Sequence, residues 1–212
     1  MSARFVTLEG VEGVGKSTNL EFVRQFLVKA GIDVVTSREP GGTPFAEAIR
    51  GIVLDDWEEP VPAYAELFLM FAARCAHVEN LIKPALARGA WVVCDRFVDA
   101  SFAYQAAGRS LPKEHVARLS EWVLGSLRPD LTLLLDATID TGRARAHKRD
   151  QTRAVTDRFE SERASFFTRV RDAYLTLADE QPQRIKVIDA GLPLPAVQRQ
   201  IGHELEALMG SQ

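Results

Sequence analysis

The sequence predicts an α/β fold in which a parallel five-stranded sheet is covered by helices on both faces. Five short apolar segments alternate with stretches whose apolar residues recur at helical spacing. The short segments are mostly apolar at successive positions rather than only at alternate ones, which is typical of parallel strands buried on both faces. We expect strands at residues 5–8, 33–36, 91–94, 131–135 and 185–188.

Helical patterns occupy much of the chain between these strands. The first helical stretch is followed by Gly31, a common residue at the C-terminal end of a helix. The longest stretch contains Pro84, which should kink or split the helix because proline cannot donate a helical hydrogen bond. We expect helices at residues 16–30, 44–54, 61–88 and 193–208.

The composition indicates one globular domain without a membrane segment. The chain has 212 residues, of which 46% are hydrophobic and 26% charged. The formal net charge of −3 gives no basis for broad binding of nucleic acid or of a membrane surface. No stretch reaches the roughly 18 apolar residues of a membrane helix, and no secretory signal is recognisable. We therefore expect a cytoplasmic protein, with Cys75 and Cys94 as buried free thiols.

A glycine-rich loop lies between the first strand and the first helix. Its sequence, GVEGVGKST, is typical of a phosphate-binding loop, in which backbone N–H groups and a helix N-terminus surround a polyphosphate. Lys16 is placed to reach the β- and γ-phosphates, and the Ser17 hydroxyl is placed to bind Mg²⁺. The alternative, a turn without a ligand, is disfavoured by the strand before it and the helix after it. The nucleotide-binding residues should be Gly10, Val11, Glu12, Gly13, Val14, Gly15, Lys16, Ser17 and Thr18.

Three further polar segments follow strands directly, at residues 38–43, 95–97 and 189–191. Ligands of parallel sheets bind at the carboxyl ends of the strands, so these segments and the glycine-rich loop should meet at one edge of the sheet. Asp95 can hold the water shell of a metal ion, and Arg96 can bind a phosphate through two hydrogen bonds. The alternative for this pair is a salt bridge at the end of the strand.

Two other motifs are candidates for contact with a ligand. Residues 38–43 have the sequence REPGGT, which predicts a sharp turn that leaves Arg38 facing the ligand-binding edge of the sheet. A cis peptide bond is one way to form this turn. The alternative is a plain surface turn. Phe71 and Arg74 lie three residues apart, so they share a helix face and suit a flat base between them. The alternative for the aromatic ring is a place in the core.

A basic segment has the features of a flap that closes over phosphates. Between residues 148 and 156 the apolar periodicity is lost, while helical patterns resume on both sides. The alternative is a solvated basic turn. The cationic residues of this segment are Arg143, Arg145, Lys148, Arg149, Arg153 and Arg158.

Taken in order, these motifs resemble those of the thymidylate kinase family over nearly the whole chain. The resemblance also rests on Tyr104-Gln105 and on the sequence DRFE at residues 157–160. It implies a P-loop NTPase-type three-layer fold that forms a single nucleoside monophosphate kinase domain over residues 1–212, with a short lid at about residues 148–157. It also implies a homodimer that transfers the γ-phosphoryl group of ATP to dTMP, with Mg²⁺ as cofactor.

The resemblance implies a role for each matching residue. Arg96 would bind the dTMP phosphate, and Glu12 would face the sugar 3′-hydroxyl group. Arg74, with Ser101 and Gln105, would read the edge of the thymine. The residues implied for the metal are Ser17 and Asp95, and those near the adenine of ATP are Asp189 and Ala190. The residues implied for dTMP are Glu12, Arg38, Pro40, Arg50, Met70, Phe71, Arg74, Arg96, Ser101 and Gln105.

The catalytic arginine of this family lies either in the phosphate loop or in the lid. Val14 occupies the loop position here and cannot serve, so the resemblance indicates the bacterial type with a lid arginine, Arg153 first and Arg149 second. Several relatives place a stacking phenylalanine where this chain has Met70. Either Phe71 turns toward the base, or Met70 covers the base. The catalytic residues implied are Lys16, Arg96, Arg149 and Arg153.

Two other functions fit parts of the pattern. One is another nucleoside monophosphate or deoxynucleoside kinase, although a deoxynucleoside would not need Arg38, Arg50 and Arg96 for a second phosphate. The other is a P-loop nucleotide switch, which would need no acceptor pocket. Neither a cysteine nor a histidine nucleophile is required by any of these reactions.

Overall fold

The strands form one parallel sheet whose central strand leads into the glycine-rich loop. The computed structural model describes residues 2–150, 159 and 162–210, without the side chains of residues 143 and 146–150. Its strands are β1 (Phe5–Glu9), β2 (Val34–Arg38), β3 (Trp91–Asp95), β4 (Leu131–Asp136) and β5 (Ile185–Asp189). Within the described residues they lie in the order β2-β3-β1-β4-β5, all parallel, which confirms the predicted sheet.

Helices fill the connections between the strands. The sequence did not indicate the helices between β3 and β4, the first of which has four residues and continues as a π-helix at Phe102–Gly108. None of the helices in the described residues is long and apolar enough to cross a membrane. The α-helices are α1 (Lys16–Lys29), α2 (Pro44–Leu54), α3 (Ala63–His77), α4 (Lys83–Ala87), α5 (Val98–Ser101), α6 (Lys113–Leu124), α7 (Ile139–Asp150), α8 (Ala164–Glu180) and α9 (Leu194–Gly210).

The long helical stretch is split before Pro84, as the sequence predicted. α3 ends at His77, and a π-helical segment, Val78–Ile82, joins it to α4. In a regular α-helix the Pro84 ring would clash with the carbonyl group four residues earlier. A π-helical turn is one of the usual ways in which a helix accommodates such an interruption.

Two apolar clusters pack on opposite faces of the sheet. Val6 and Leu8 of β1 belong to the first cluster, to which α1, α8 and α9 contribute. Phe5 belongs to the second, to which α3, α4 and α6 contribute, and its ring lies 4.8 Å from the Phe97 ring. Successive strand residues point to opposite faces, so the sheet is buried on both sides in a three-layer arrangement.

The two cysteines differ in burial. Cys94 in β3 is buried, as expected, whereas Cys75 on α3 is exposed. The expectation that Cys75 is buried is therefore wrong. α3 buries Leu67, Phe71 and Arg74, whereas Cys75, at the edge of that face, is exposed.

Candidate active site

The glycine-rich loop passes from β1 to α1 with its backbone available to a ligand. Gly10 has a φ of +132°, and a Cβ atom there would lie 2.3 Å from the carbonyl oxygen of Leu135, so the close approach of loop and β4 requires glycine. Gly15 has a φ of +91°, and α1 begins at the next residue, Lys16. The N–H groups in the first turn of a helix have no partner within the helix, which favours an anion at this position.

Lys16 lies inside the loop rather than in solvent. Its Nζ donates to the carbonyl oxygens of Gly10 at 3.1 Å and Val11 at 2.8 Å. Burial, followed by the nearby Arg96 guanidinium, lowers the pKa of Lys16 to about 8. A polyphosphate in the loop would supply negative charge and favour the ammonium form again.

Arg96 joins the loop to the end of β3. Its φ is +68°, a left-handed conformation that is uncommon for residues other than glycine and is concentrated at functional sites. Nη1 donates to the Gly10 carbonyl oxygen and Nη2 to Oε1 of Glu12, both at 2.8 Å. The guanidinium lies 4.8 Å from the centroid of the Tyr104 ring, whose hydroxyl group donates to both Glu12 oxygens at 2.8 and 3.0 Å. These contacts fix the positions of a cation and a carboxylate beside the loop.

Two further arginines, on either side of the turn after β2, line the same cavity as Arg96. The peptide bond between Glu39 and Pro40 is cis, one of the forms that the sequence suggested. Arg50 donates from Nη1 to the Pro40 carbonyl oxygen at 2.8 Å. Arg38 lies nearer the surface and forms an ion pair of 2.9 Å with a glutamate of α2. The three guanidinium groups suit a second anion.

Arg74 is buried at the other end of the site, with 3% of its surface exposed. Its Nε donates to Oε2 of Glu39 at 2.7 Å, Nη1 to Oγ of Ser101 at 2.9 Å, and Nη2 to the carbonyl oxygen of Phe97 at 3.0 Å. Three parts of the chain therefore fix this guanidinium: the turn after β2, the segment that follows β3, and α5. A guanidinium only donates hydrogen bonds, so a ligand must offer it an acceptor.

Met70, and not Phe71, faces the ligand-sized cavity of the site. Phe71 is 3% exposed and packs in the core, with its ring centroid 4.7 Å from the Arg74 guanidinium carbon. The expectation that Phe71 faces a bound base is therefore wrong, because adjacent helix residues point about 100° apart. Phe68 is 57% exposed and lies at the surface. Coverage of the base by Met70 stays a prediction.

One cavity of about 410 Å³ brings most of the expected residues together. Its size suits a small-molecule ligand. The expected residues that line it are Glu12, Gly13, Gly15, Lys16, Ser17, Thr18, Arg38, Pro40, Arg50, Met70, Arg74, Asp95, Arg96, Ser101 and Gln105.

Three residues of the loop do not line this cavity. The side chains of Val11 and Val14 are buried in the core, at 4% and 2% exposure. Gly10 uses its carbonyl oxygen to accept hydrogen bonds from lysine and arginine side chains of the site. These residues shape the loop, and a valine at position 14 offers no cation there.

The segment expected near the adenine lies beside the cavity rather than in its wall. The Ala190 carbonyl oxygen accepts a hydrogen bond of 2.8 Å from Nη1 of Arg145, which does line the cavity. Asp189 accepts from a backbone N–H group two residues later, which fixes this loop. The lid arginine Arg153 lies outside the described residues. For the other lid arginine, Arg149, only the side chain lies outside them.

Asp95 and Ser17 suit a divalent cation. Oδ1 of Asp95 is buried and has no hydrogen-bond partner among the described residues. Ser17 is exposed in the first turn of α1, and both residues line the cavity. Hydroxyl and carboxylate oxygens, with water, are the ligands that Mg²⁺ prefers. The residues present therefore fit this ion.

Several residues of the cavity were not assigned from the sequence. Glu39 belongs to the REPGGT turn, Tyr104 precedes Gln105, and Arg145 belongs to the basic segment, so their motifs were noticed without a role for each side chain. Their contacts join distant parts of the chain, which spacing does not reveal. The other unassigned lining residues are Leu54, Phe97, Ala100 and Phe159.

The comparison with known families agrees with this geometry. Residues 8–201 match the family model described as thymidylate kinase. The chain belongs to the thymidylate kinase family. Members of this family are kinases that use ATP, so the chain is a phosphotransferase.

Individual relatives match over nearly their whole length. The thymidylate kinase of Teredinibacter turnerae is 53% identical over 99% of this chain and 100% of its own. That of Alkalilimnicola ehrlichii is 55% identical over 92% of this chain and 88% of its own. The crystal structure of thymidylate kinase from Ehrlichia chaffeensis superposes with a TM-score of 0.77, covers 97% of this chain and 99% of its own, and is 28% identical.

Glu9, at the end of β1, is a buried carboxyl group beneath the site. Oε1 accepts from the backbone N–H of Phe97 at 2.7 Å, and Oε2 accepts from the hydroxyl group of Tyr174 at 2.6 Å. Burial, followed by repulsion from Asp99, raises the pKa of Glu9 to about 8, although the Arg96 guanidinium acts in the opposite direction. A pKa near 8 favours the protonated form of the folded carboxyl group at neutral pH.

This proton makes stability depend on pH. Unfolded Glu9 ionises near its ordinary pKa of 4.5, whereas folded Glu9 ionises near 8. The folded state binds more protons between these values, so the contribution of Glu9 to the free energy of unfolding falls as pH rises, by up to ~1.4 kcal/mol per pH unit. Glu9→Gln cannot ionise and keeps the shape of the protonated form. Relative to the wild type, we expect it to gain stability as pH rises, measured by denaturant unfolding across this interval.

A matched control is Glu206→Gln, which changes an exposed glutamate on α9. Its stability should follow that of the wild type at every pH. If the Glu9→Gln and wild-type curves were also parallel, Glu9 would be ionised in the folded chain, and the expectation would be wrong.

Proposed function

We propose that this chain is an ATP:dTMP phosphotransferase, which converts ATP and dTMP to ADP and dTDP for the synthesis of dTTP in the cytoplasm. The observation that carries the proposal is one cavity with phosphate-binding groups in two places. The loop with Lys16 suits a triphosphate. Arg38, Arg50 and Arg96 suit the phosphate of a nucleoside monophosphate. The relatives carry the name of this activity.

Direct transfer of the γ-phosphoryl group requires alignment and neutralisation of charge, without a covalent enzyme intermediate. Lys16 would bind the β- and γ-phosphates of the donor, and Arg96 would bind the phosphate of the acceptor. Arg96 also contacts the carbonyl oxygen of Gly10, so it lies at the boundary between the two subsites. Glu12 would accept a hydrogen bond from the sugar 3′-hydroxyl group, which helps to favour a deoxynucleotide. These contacts would hold the attacking oxygen in line with the bond that breaks.

Mg²⁺ is the cofactor that we propose, held by the Ser17 hydroxyl group and, through water, by Asp95. When bound, the ion would neutralise charge on the β- and γ-phosphate oxygens. The buried Oδ1 of Asp95, which lacks a partner among the described residues, supports this assignment.

The acceptor is identified by a coupled assay of ADP formation with ATP, Mg²⁺ and one candidate acceptor at a time. We expect dTMP to give the highest kcat/KM, dUMP a lower value, and thymidine almost no turnover because it leaves the three arginines without a phosphate. Preference for thymidine would indicate a deoxynucleoside kinase. ATP hydrolysis without any preferred acceptor would indicate a nucleotide switch. Either result would contradict the proposal.

The lid arginine is tested by Arg153→Ala, with Arg149→Ala as the comparison. A positively charged group that acts on the transition state should affect kcat far more than the KM for dTMP. We expect kcat of Arg153→Ala to fall by roughly 10³-fold or more. If kcat stays within about threefold of the wild type, the assignment is wrong, and Arg149 becomes the candidate.

We also propose that the chain is a homodimer that associates through α3 and α6. Tyr64 and Phe68 of α3 are 40% and 57% exposed, and their ring centroids are 6.1 Å apart. The Tyr64 hydroxyl group is 2.8 Å from Nδ1 of His115 on α6. Trp122, two helical turns after His115 on the same face of α6, is 75% exposed. Clustered exposed aromatic side chains are typical of protein interfaces.

The dimer is tested by sedimentation of Phe68→Asp beside Val28→Asp, which changes a 49% exposed apolar residue on α1. A buried charge should separate the protomers, so we expect Phe68→Asp to sediment with half the wild-type mass and Val28→Asp with the wild-type mass. A monomeric wild type, or a Phe68→Asp variant that remains dimeric, would contradict this interface.

A further inference from the structure

We propose that Glu66 determines which pyrimidine the site accepts, because it fixes the orientation of the Gln105 side-chain amide. This inference rests on the proposed function, since it concerns the base of the acceptor nucleotide. Glu66 lies on α3, is 0% exposed, and does not line the cavity itself. It is a positioning residue that acts through Gln105.

The orientation follows from the chemistry of the pair. Nε2 of Gln105 donates to Oε1 of Glu66 at 2.9 Å. A carboxylate only accepts hydrogen bonds, so the NH₂ end of the amide must face Glu66, and the opposite orientation would place two oxygens against each other. The amide oxygen of Gln105 is then the acceptor that is left for the base. Gln105 is 1% exposed, so water cannot readily compensate for a reversed amide.

The Glu66 carboxyl group is paired with a cation. Nε of Arg109 donates to its two oxygens at 3.1 and 3.3 Å. Arg109 is itself held by an ion pair with Glu162 and by the Phe166 ring, 4.8 Å from its guanidinium carbon. This guanidinium compensates the buried negative charge of Glu66.

Arg74 and Gln105 together present a donor beside an acceptor. Arg74 only donates, and it binds Ser101, which lies one helical turn before Gln105. Thymine and uracil offer the complementary pattern, the O4 acceptor next to the N3–H donor. Cytosine offers the reverse pattern, an amino donor next to the N3 acceptor. The orientation set by Glu66 therefore matches dTMP and dUMP and opposes dCMP.

The test compares kcat/KM for dTMP and dCMP in the wild type and in Glu66→Gln. A glutamine at this position can accept or donate, so the Gln105 amide becomes free to reverse. We expect the ratio of dTMP to dCMP efficiencies to fall at least about tenfold, the factor expected from one hydrogen bond. Both substrates are measured on one preparation, so a partly unfolded sample lowers both values and leaves the ratio unchanged.

Glu162→Gln is the matched control, because it removes the other carboxylate partner of Arg109 without touching Gln105. Its ratio should equal that of the wild type. A Glu66→Gln ratio equal to the wild-type ratio would overturn the inference, as would an equal fall in Glu162→Gln. If Glu66→Gln does not fold, Gln105→Met decides. A fall in its ratio supports the reading of the base by the amide oxygen, and an unchanged ratio overturns it.

The measured activities distinguish a failure of this inference from a failure of the proposed function. A wild-type chain that does not phosphorylate dTMP contradicts the proposed function. A wild-type chain that phosphorylates dTMP and discriminates against dCMP, together with an unchanged ratio in Glu66→Gln, contradicts the inference alone.

Discussion

The contacts of Arg96 hold the two halves of the site together. Its backbone N–H donates to the carbonyl oxygen of Leu8 at 2.9 Å, while its guanidinium binds Gly10 and Glu12 and lies over Tyr104. The loop that we propose for the donor and the arginines that we propose for the acceptor therefore share one support at the ends of β1 and β3. A phosphoryl transfer depends on a fixed separation of donor and acceptor, and this arrangement supplies it before either substrate binds.

Charged side chains at the proposed acceptor end of the cavity are paired with each other. Glu39 accepts from both Arg74 and His77, at 2.7 and 3.0 Å, and His77 also contacts Ser37 at 2.7 Å. Removing one partner of such a buried pair typically costs about 3–5 kcal/mol, because the other charge remains uncompensated. Pairing fixes the orientation of these side chains, so each polar group offers a ligand one hydrogen-bonding pattern. Glu66 and Gln105 follow the same principle, in which a buried carboxylate orients a neighbouring side chain.

Most of the fold and much of the candidate site could be predicted from the sequence. Continuous apolar runs identify parallel strands, and parallel strands bring residues as distant as Lys16 and Arg96 to one edge. The sequence did not reveal which helix face is buried, which explains the wrong expectations for Phe71 and Cys75. It also did not reveal side-chain pairs between distant segments, such as Tyr104 with Glu12, because no spacing rule links them. The assignment of the lid arginines depends on the family resemblance, since Arg153 and the side chain of Arg149 lie outside the described residues.

The central claim is that one cavity holds dTMP between Arg96 and the Arg74–Gln105 pair. A crystal structure with dTMP and a non-hydrolysable ATP analogue tests it most directly. We expect the dTMP phosphate on Arg96, the thymine O4 atom on Arg74, and the N3–H group on the amide oxygen of Gln105. A base that is reversed in the pocket, or dTMP bound outside this cavity, would contradict the account.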